Sequence, residues 1–300
     1  MAISRAQLLK ELVPGLNKLF GLEYKKYTEE HTELYEMDSS ERAFEEEQKL
    51  GGFKAAGVKL EGSPVDYDNA QEAWTARYTH VTIAQGFALT EEAFEDNLYG
   101  SLSSRYTKAL ARSMAHTKQV RAAATFNDGF TTFQTGDGVT LFSTAHPLIS
   151  GGTLSNRVAA DLSETALENA SIAIAAWTDE RGLLIAARPR KLAVPPALLF
   201  TAERILTSKL RVATSDNDPN AMRQLGTIPE GYCVNHYFTD TNAWFLLTDV
   251  PGGFKMFNRV AIKTGSEVDF DTGNMKYKSR ERYSFGATDP LGGYGSSGGS

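Results

Sequence analysis

The chain has 300 residues, 41% of them hydrophobic and 23% charged, with a formal net charge of −6 at pH 7. That is enough for one large or two ordinary domains with a real core, and the acidic balance argues against tight gripping of nucleic-acid phosphates. No run of 18 apolar residues could cross a membrane, and the single cysteine, Cys233, cannot form an internal disulfide and reads as a structural thiol.

From Met1 to Leu22, Arg5, Lys10, Glu11 and Lys18 interrupt the leucines, so the stretch lacks the apolar block and cleavage site of a secretory signal. Leu8, Leu9, Leu12, Leu16, Leu19 and Phe20 fall at helical spacing, with Pro14 and Gly15 expected to interrupt them. Residues 1–30 therefore read as an apolar arm that must dock elsewhere. Residues 31–86 change character. Trp74, Ala76 and Tyr78 alternate with Thr75, Arg77 and Thr79, and Val81 and Ile83 with Thr82 and Ala84, the period of a strand. Turn residues crowd Gly62 to Asn69. The region reads as a projecting β-hairpin with little core of its own, carrying an acidic run, Glu45-Glu46-Glu47.

Residues 90–126 predict one long helix, capped by Thr90 with Glu91 and Glu92 in its first turn. Its stripe is Phe94, Leu98, Leu102, Tyr106, Leu110, Met114, Val120 and Ala124, Lys118 and Arg121 lie near its end, and Asn127-Asp128-Gly129 stops it. Such a rod would be about 55 Å long, with Gly100 its weak point. A second helix is expected from Leu162 to Arg181, with Asp161 and Glu164 as a capping box and Gly182 closing it. Leu192-Ala193-Val194 reads as a strand stopped by Pro195-Pro196, and Leu199 to Arg211 as a third helix. Asp216 to Gly226 reads as a polar loop. Ala243–Leu247, Val260–Val268 and Met275–Ser284 read as strands, and Gly292–Ser300 as a mobile Gly/Ser tail. Helices and strands mix without a βαβ rhythm, which favours the α+β class.

A search for chemistry finds no constellation. His31, His80, His116, His146 and His236 show no zinc spacing, and His146, in a Thr-Ala-His-Pro loop, reads as bonded to nearby backbone. Asp216-Asn217-Asp218 and Asp269-Phe270-Asp271 lack the calcium-loop pattern and read as solvated turns. Phosphate-loop and nucleophile-elbow spacings are missing. The expectation is no catalytic residue, no cofactor and no metal. What stands out is an arm and a core-poor hairpin, which suit a subunit made to interlock.

Five phrases in order carry a resemblance: the long helix ending in Asn127-Asp128-Gly129 with Asp137-Gly138-Val139-Thr140-Leu141-Phe142-Ser143-Thr144-Ala145-His146-Pro147 after it, Leu192 to Leu198, Asn242 to Leu247, and Arg280 to Pro290. Together they resemble the Mu-like major head subunit family of tailed-phage capsid proteins. The resemblance implies the Hong Kong 97-type capsid fold. It would comprise an N-terminal arm at 1–30, an extended β-hairpin E-loop at 31–86, a P-domain with a long spine helix at 87–135, an A-domain at 136–258 and P-domain return strands from 259 to the flexible tail. Asp216 to Gly226 would then lie near the capsomer centre. It further implies hexamers and pentamers closing an icosahedral shell around double-stranded DNA in the virion, assembled in the host cytoplasm. Scaffolding, portal and decoration proteins would be partners, with neither sequence-specific DNA binding nor a membrane. Some relatives cross-link a loop lysine, here Lys54 or Lys59, to an asparagine such as Asn274. An encapsulin-type compartment shell would share the fold, and a soluble enzyme of unknown type is the third reading.

Overall fold

A computed structural model describes residues 5–90, 92, 99–211 and 218–299. Two sheets carry the architecture. In the first, β1 (Glu36–Ser39) runs parallel to β11 (Phe254–Val268), which forms a long antiparallel hairpin with β12 (Met275–Ala287), and β4 (Val81–Leu89) closes the other edge of β12. Along β12, Met275, Tyr277, Ser279, Glu281 and Tyr283 are buried while Lys276, Lys278 and Arg280 are exposed. Alternation on that scale marks a sheet with one covered face. Two helices contribute to the cover: α1 (Arg5–Tyr24) and α2 (Tyr99–Asn127) bring Leu16 and Phe20 together with Leu110, Ala111 and Met114 over Met275 and Tyr277.

The second sheet has the order β7 (Arg157–Val158), β13 (Gly293–Ser296), β10 (Trp244–Thr248), β8 (Pro189–Val194), β9 (Tyr232–Val234). Its outer pairings, β7 with β13 and β8 with β9, are parallel, and the inner ones antiparallel. All of β10 is buried, so its two faces serve two cores. Trp244 and Leu246 face a core shared with α3 (Glu164–Ala175), α4 (Leu199–Thr207) and α5 (Ala221–Leu225). Phe245 and Leu247 face an aromatic core in which Phe126 stands 4.6 Å from Phe254 and 5.2 Å from Phe245, centroid to centroid. Because Phe126 belongs to α2 and Phe254 to β11, this core joins the two sheets. The remaining strands form two small ribbons, β2 (Phe44–Leu50) with β3 (Glu72–Thr79) and β5 (His146–Pro147) with β6 (Thr153–Leu154). Helices and mostly antiparallel strands in this mixture place the chain in the α+β class.

Several expectations are corrected. Pro14 lies inside a continuous helix; the missing N–H costs one ladder bond, and burial of Leu16 and Phe20 holds the next turn in place. The α2 stripe is not the four-residue repeat. Leu110 and Met114 are buried, but Tyr106 and Val120 are 45% and 42% exposed. The buried face runs through Ser103, Thr107, Leu110, Met114 and Lys118, with one three-residue step among the fours. The expected cap at Thr90 and the positions Phe94 and Leu98 involve residues 91 and 93–98, outside the described residues.

Helix α3 starts after Ser163, whose hydroxyl accepts from the Ala166 amide; Asp161 instead accepts from Gly299. It ends at Ala175 because Thr178 bridges to Leu184 and Asp179 accepts from the amides of Arg181 and Leu183, turning the chain. Helix α4 ends at Thr207, short of Arg211. The stretch read as loop from Asp216 contains α5, started by Asn220 accepting from Arg223 N–H and closed by left-handed Gly226; residues 212–217 are outside the described residues. Within 31–86, β1 and β4 pair with the long hairpin and only β2 and β3 pair with each other.

The largest correction concerns the Gly/Ser tail. Its residues Gly293–Ser296 form β13, buried throughout between β7 and β10. The glycines are there for contact: a Cβ on Gly293 would lie 2.8 Å from the Phe254 ring, and one on Gly295 2.7 Å from the Phe142 ring.

Candidate functional site

The five histidines lie apart, each with its own contacts. His31 pairs with Gln119, His80 with Ser40 and Ser284, His146 with Asp137 and Asn156, and His236 with Glu30, while the ring of His116 rests edge-on against Tyr237. Among the described residues no three His, Cys, Asp or Glu side chains gather as a metal site. Burial pushes the Cys233 thiol up to about 12, against the pull of Lys191, so it is held protonated rather than activated.

The Asp137–His146 pair has the look of the orienting half of a nucleophilic triad, and its geometry excludes that role. Nδ1 of His146 lies 2.6 Å from Asp137 Oδ2, and Nε2, which would face a nucleophile, lies 3.1 Å from Asn156 Oδ1. The Asn156 amide is oriented by its own bonds. Its NH2 donates to the carbonyls of Leu141, Pro290 and Gly293, and its oxygen accepts from Ser143 N–H. Both imidazole nitrogens are therefore taken up by buried side chains, and neither is open to a nucleophile. Burial opposes a charged Asp137, but hydrogen bonds from His146, Thr135 and Val139 N–H hold its carboxyl below the ordinary range. The bonds of His146 thus go to side chains, not to backbone as its loop setting suggested. The cluster is a buried rivet joining the segment 135–156 to the turn before β13.

His31 shows the opposite environment. Its Nδ1 accepts from the Gln119 amide, and burial, with Lys118 nearby, lowers its pKa from 6.5 to about 4 despite that bond. A folded pKa below the unfolded one gives stability that is complete above about pH 6.5 and is lost as pH falls through about 4. Chemical denaturation should show wild-type stability dropping by about 3 kcal/mol more than that of H31Q between those limits; identical pH profiles would remove His31 from the account.

The third concentration of polar groups anchors the β2–β3 ribbon. Lys49 Nζ lies 2.7 Å from Asp289 and 3.3 Å from Glu180, above the Trp74 ring. Trp74 Nε1 donates to the Thr288 carbonyl, Tyr78 OH bonds the Thr288 hydroxyl, and that hydroxyl and Lys255 both donate to Glu47. A Cβ on Gly136 would fall 2.3 Å from Trp74, so the loop can approach only as glycine. The acidic run is thus occupied at home: Glu45 accepts from Ser40, Glu46 stands 3.8 Å from Arg77, and Glu47 holds Lys255. K49M would leave the carboxylates of Glu180 and Asp289 buried without their cation, at a cost of about 3 kcal/mol measurable in a urea titration.

Beyond this anchor, residues 51–71 leave the ribbon without strand pairing. Gly51 N–H donates to the Gln71 carbonyl, Asp68 accepts from Lys54 N–H and Arg181, and Lys54 pairs with Asp66. The loop offers its apolar side chains to solvent: Val58 is 93% exposed, Tyr67 90% and Leu60 70%. A chain that hides Trp244 and Phe126 completely while leaving these outside holds an apolar surface with no partner within the subunit.

A family of phage capsid proteins matches residues 72–296, three quarters of the chain. The chain belongs to that family. It is a capsid shell protein, and the matched segment runs from β3 through β13, taking in the second sheet and all of the first but β1. Solved structures agree in fold. The virus-like particle from Pyrococcus furiosus superposes with a TM-score of 0.55 at 10% identity, over 95% of this chain and 99% of that one. The capsid of an empty GTA particle gives 0.57 at 12%, over 90% and 89%, and the capsid of cyanophage P-SCSP1u 0.57 at 11%, over 89% and 87%. No curated protein matches. These likenesses establish the Hong Kong 97-type capsid fold, whose α+β composition the two sheets display.

Proposed function

We propose that this subunit is a non-enzymatic building block that assembles into hexamers and pentamers, closing an icosahedral shell around phage double-stranded DNA. What carries the reading is the conjunction of capsid family and the exposed apolar loop 51–71, which is anchored at its base and unpartnered at its end. On this reading residues 1–30 are the arm, 31–86 the E-loop, 87–135 and 259–300 the P-domain, and 136–258 the A-domain. Its home is the virion, after assembly in the host cytoplasm, with scaffolding, portal and decoration proteins as further partners.

Electron microscopy of the purified protein tests the proposal. Closed shells are expected, and a small discrete oligomer with no shells would sink it. The double variant V58D/Y67D places charge on two side chains that touch solvent in the monomer. It should abolish shells while changing monomer stability by no more than about 0.5 kcal/mol; unimpaired assembly would show that the loop is not a subunit contact.

A further inference from the structure

We infer that one face of α2 is the surface by which the shell meets packed nucleic acid, an electrostatic contact for the phosphate backbone of duplex DNA. The inference rests on the reading of the shell as a DNA container and adds where the contact lies.

The chain as a whole is acidic, at −6, but α2 is not. Its 29 residues contain Arg105, Lys108, Arg112, Lys118 and Arg121 and no carboxylate. At about 100° per residue, Arg105, Lys108, Arg112 and His116 fall within a sector of about 80°, opposite the face that buries Thr107, Leu110, Met114 and Lys118. All four are exposed. The stripe stops at His116, because the next turn on that side is Gln119, buried against His31.

Several exposed cations elsewhere have carboxylate partners: Lys26 with Glu23, Lys54 with Asp66, Arg211 with Glu164, Lys276 with Asp269. Arg105, Lys108 and Arg112 form no ion pair among the described residues. Like charges at three- and four-residue spacing destabilise a helix, so the stripe is a cost to the isolated subunit that a polyanion would relieve. Its length, about 16 Å, suits three or four successive phosphates of one strand. Duplex DNA is favoured over an acidic segment of a second copy because the chain's one run of three consecutive acids, Glu45 to Glu47, is taken up by Ser40, Arg77 and Lys255. A short stripe on an acidic protein gives weak, sequence-indifferent binding, as suits a wall that must hold DNA without trapping it.

The test uses the full chain and a fluorescent mixed-sequence duplex of about 30 base pairs, titrated at roughly 50 to 200 mM salt. Expected is a log–log salt slope near −3, from about −0.9 per phosphate, and for R105Q/K108Q/R112Q a slope near zero with affinity at least about tenfold lower at the lowest salt. Glutamine keeps the helix propensity, and micrographs should show that the variant still forms shells. In addition, a bulky amine reagent should label Lys108 in the free subunit but not in closed shells. Unchanged DNA binding in the variant, no binding by the wild type at the lowest salt, or labelling of Lys108 from outside intact shells would each overturn the inference. Loss of shells with DNA binding intact would assign the stripe to a contact between copies instead. If the wild type makes no shells, the container reading fails, and the titration still reports on the stripe by itself.

Discussion

Deleting residues 290–300 should abolish the fold rather than trim a loose end. The deletion removes Leu291 and Tyr294, both buried, each worth about 2 kcal/mol of burial. It also strips β10 and β7 of their shared neighbour, leaving the backbone of Trp244 to Leu247 unpaired on one side. The Phe142 and Phe254 rings lose the glycine backbone that covers them. The expected loss exceeds about 6 kcal/mol, comparable to the whole stability of many domains. Circular dichroism or soluble yield would report it: the truncated chain should be unfolded or insoluble. A truncated chain with a wild-type melting curve would mean that β13 does not hold the second sheet together.

Asn156→Ala should be the most damaging single polar substitution, at about 4 kcal/mol. The side chain is fully buried and bonds three carbonyls, one amide and the ring of His146. Alanine leaves those groups in a site closed to solvent, and each stranded group costs about 1–3 kcal/mol, part of which local relaxation recovers. Asn156→Asp is informative because it keeps the shape: a carboxylate cannot donate to the Leu141, Pro290 and Gly293 carbonyls, so it should be as harmful as alanine above neutral pH. Urea midpoints for the two variants within experimental error of the wild type would show that the rivet carries no load.

What could be read from the chain, and what could not, follows from how each element stores its information. Trp74, Ala76 and Tyr78 announced β3 because side chains alternate between a covered and an open face, and Ala76 and Tyr78 are indeed buried. Pro195-Pro196 ended β8 where a missing N–H must end it. The tail misled because β13 is specified by missing side chains. Its Gly-Tyr-Gly-Ser is chosen to let Phe142 and Phe254 close in, and local composition cannot distinguish that from a linker. Pro14 misled for the converse reason, since a local penalty was outweighed by distant packing on Met275 and Tyr277. Asp137 and His146 lie within a phrase that was legible as family, but nothing in their nine-residue separation signals a bond, and Asn156 carries no mark of its own. The irregular course of the loop 51–71 was legible from the turn residues between Gly62 and Asn69, whereas the exposure of its Val58, Leu60 and Tyr67 was not, and its anchor through Lys49, Thr288 and Asp289 spans more than 200 residues of chain.

The position of β13 between β7 and β10 also orders events in time. Its partners are separated from it by some 45 to 135 residues of chain, and α1 waits likewise for Met275 and Tyr277. The second sheet cannot close until β13 has been made, so a growing chain holds β7 and β10 without their shared neighbour.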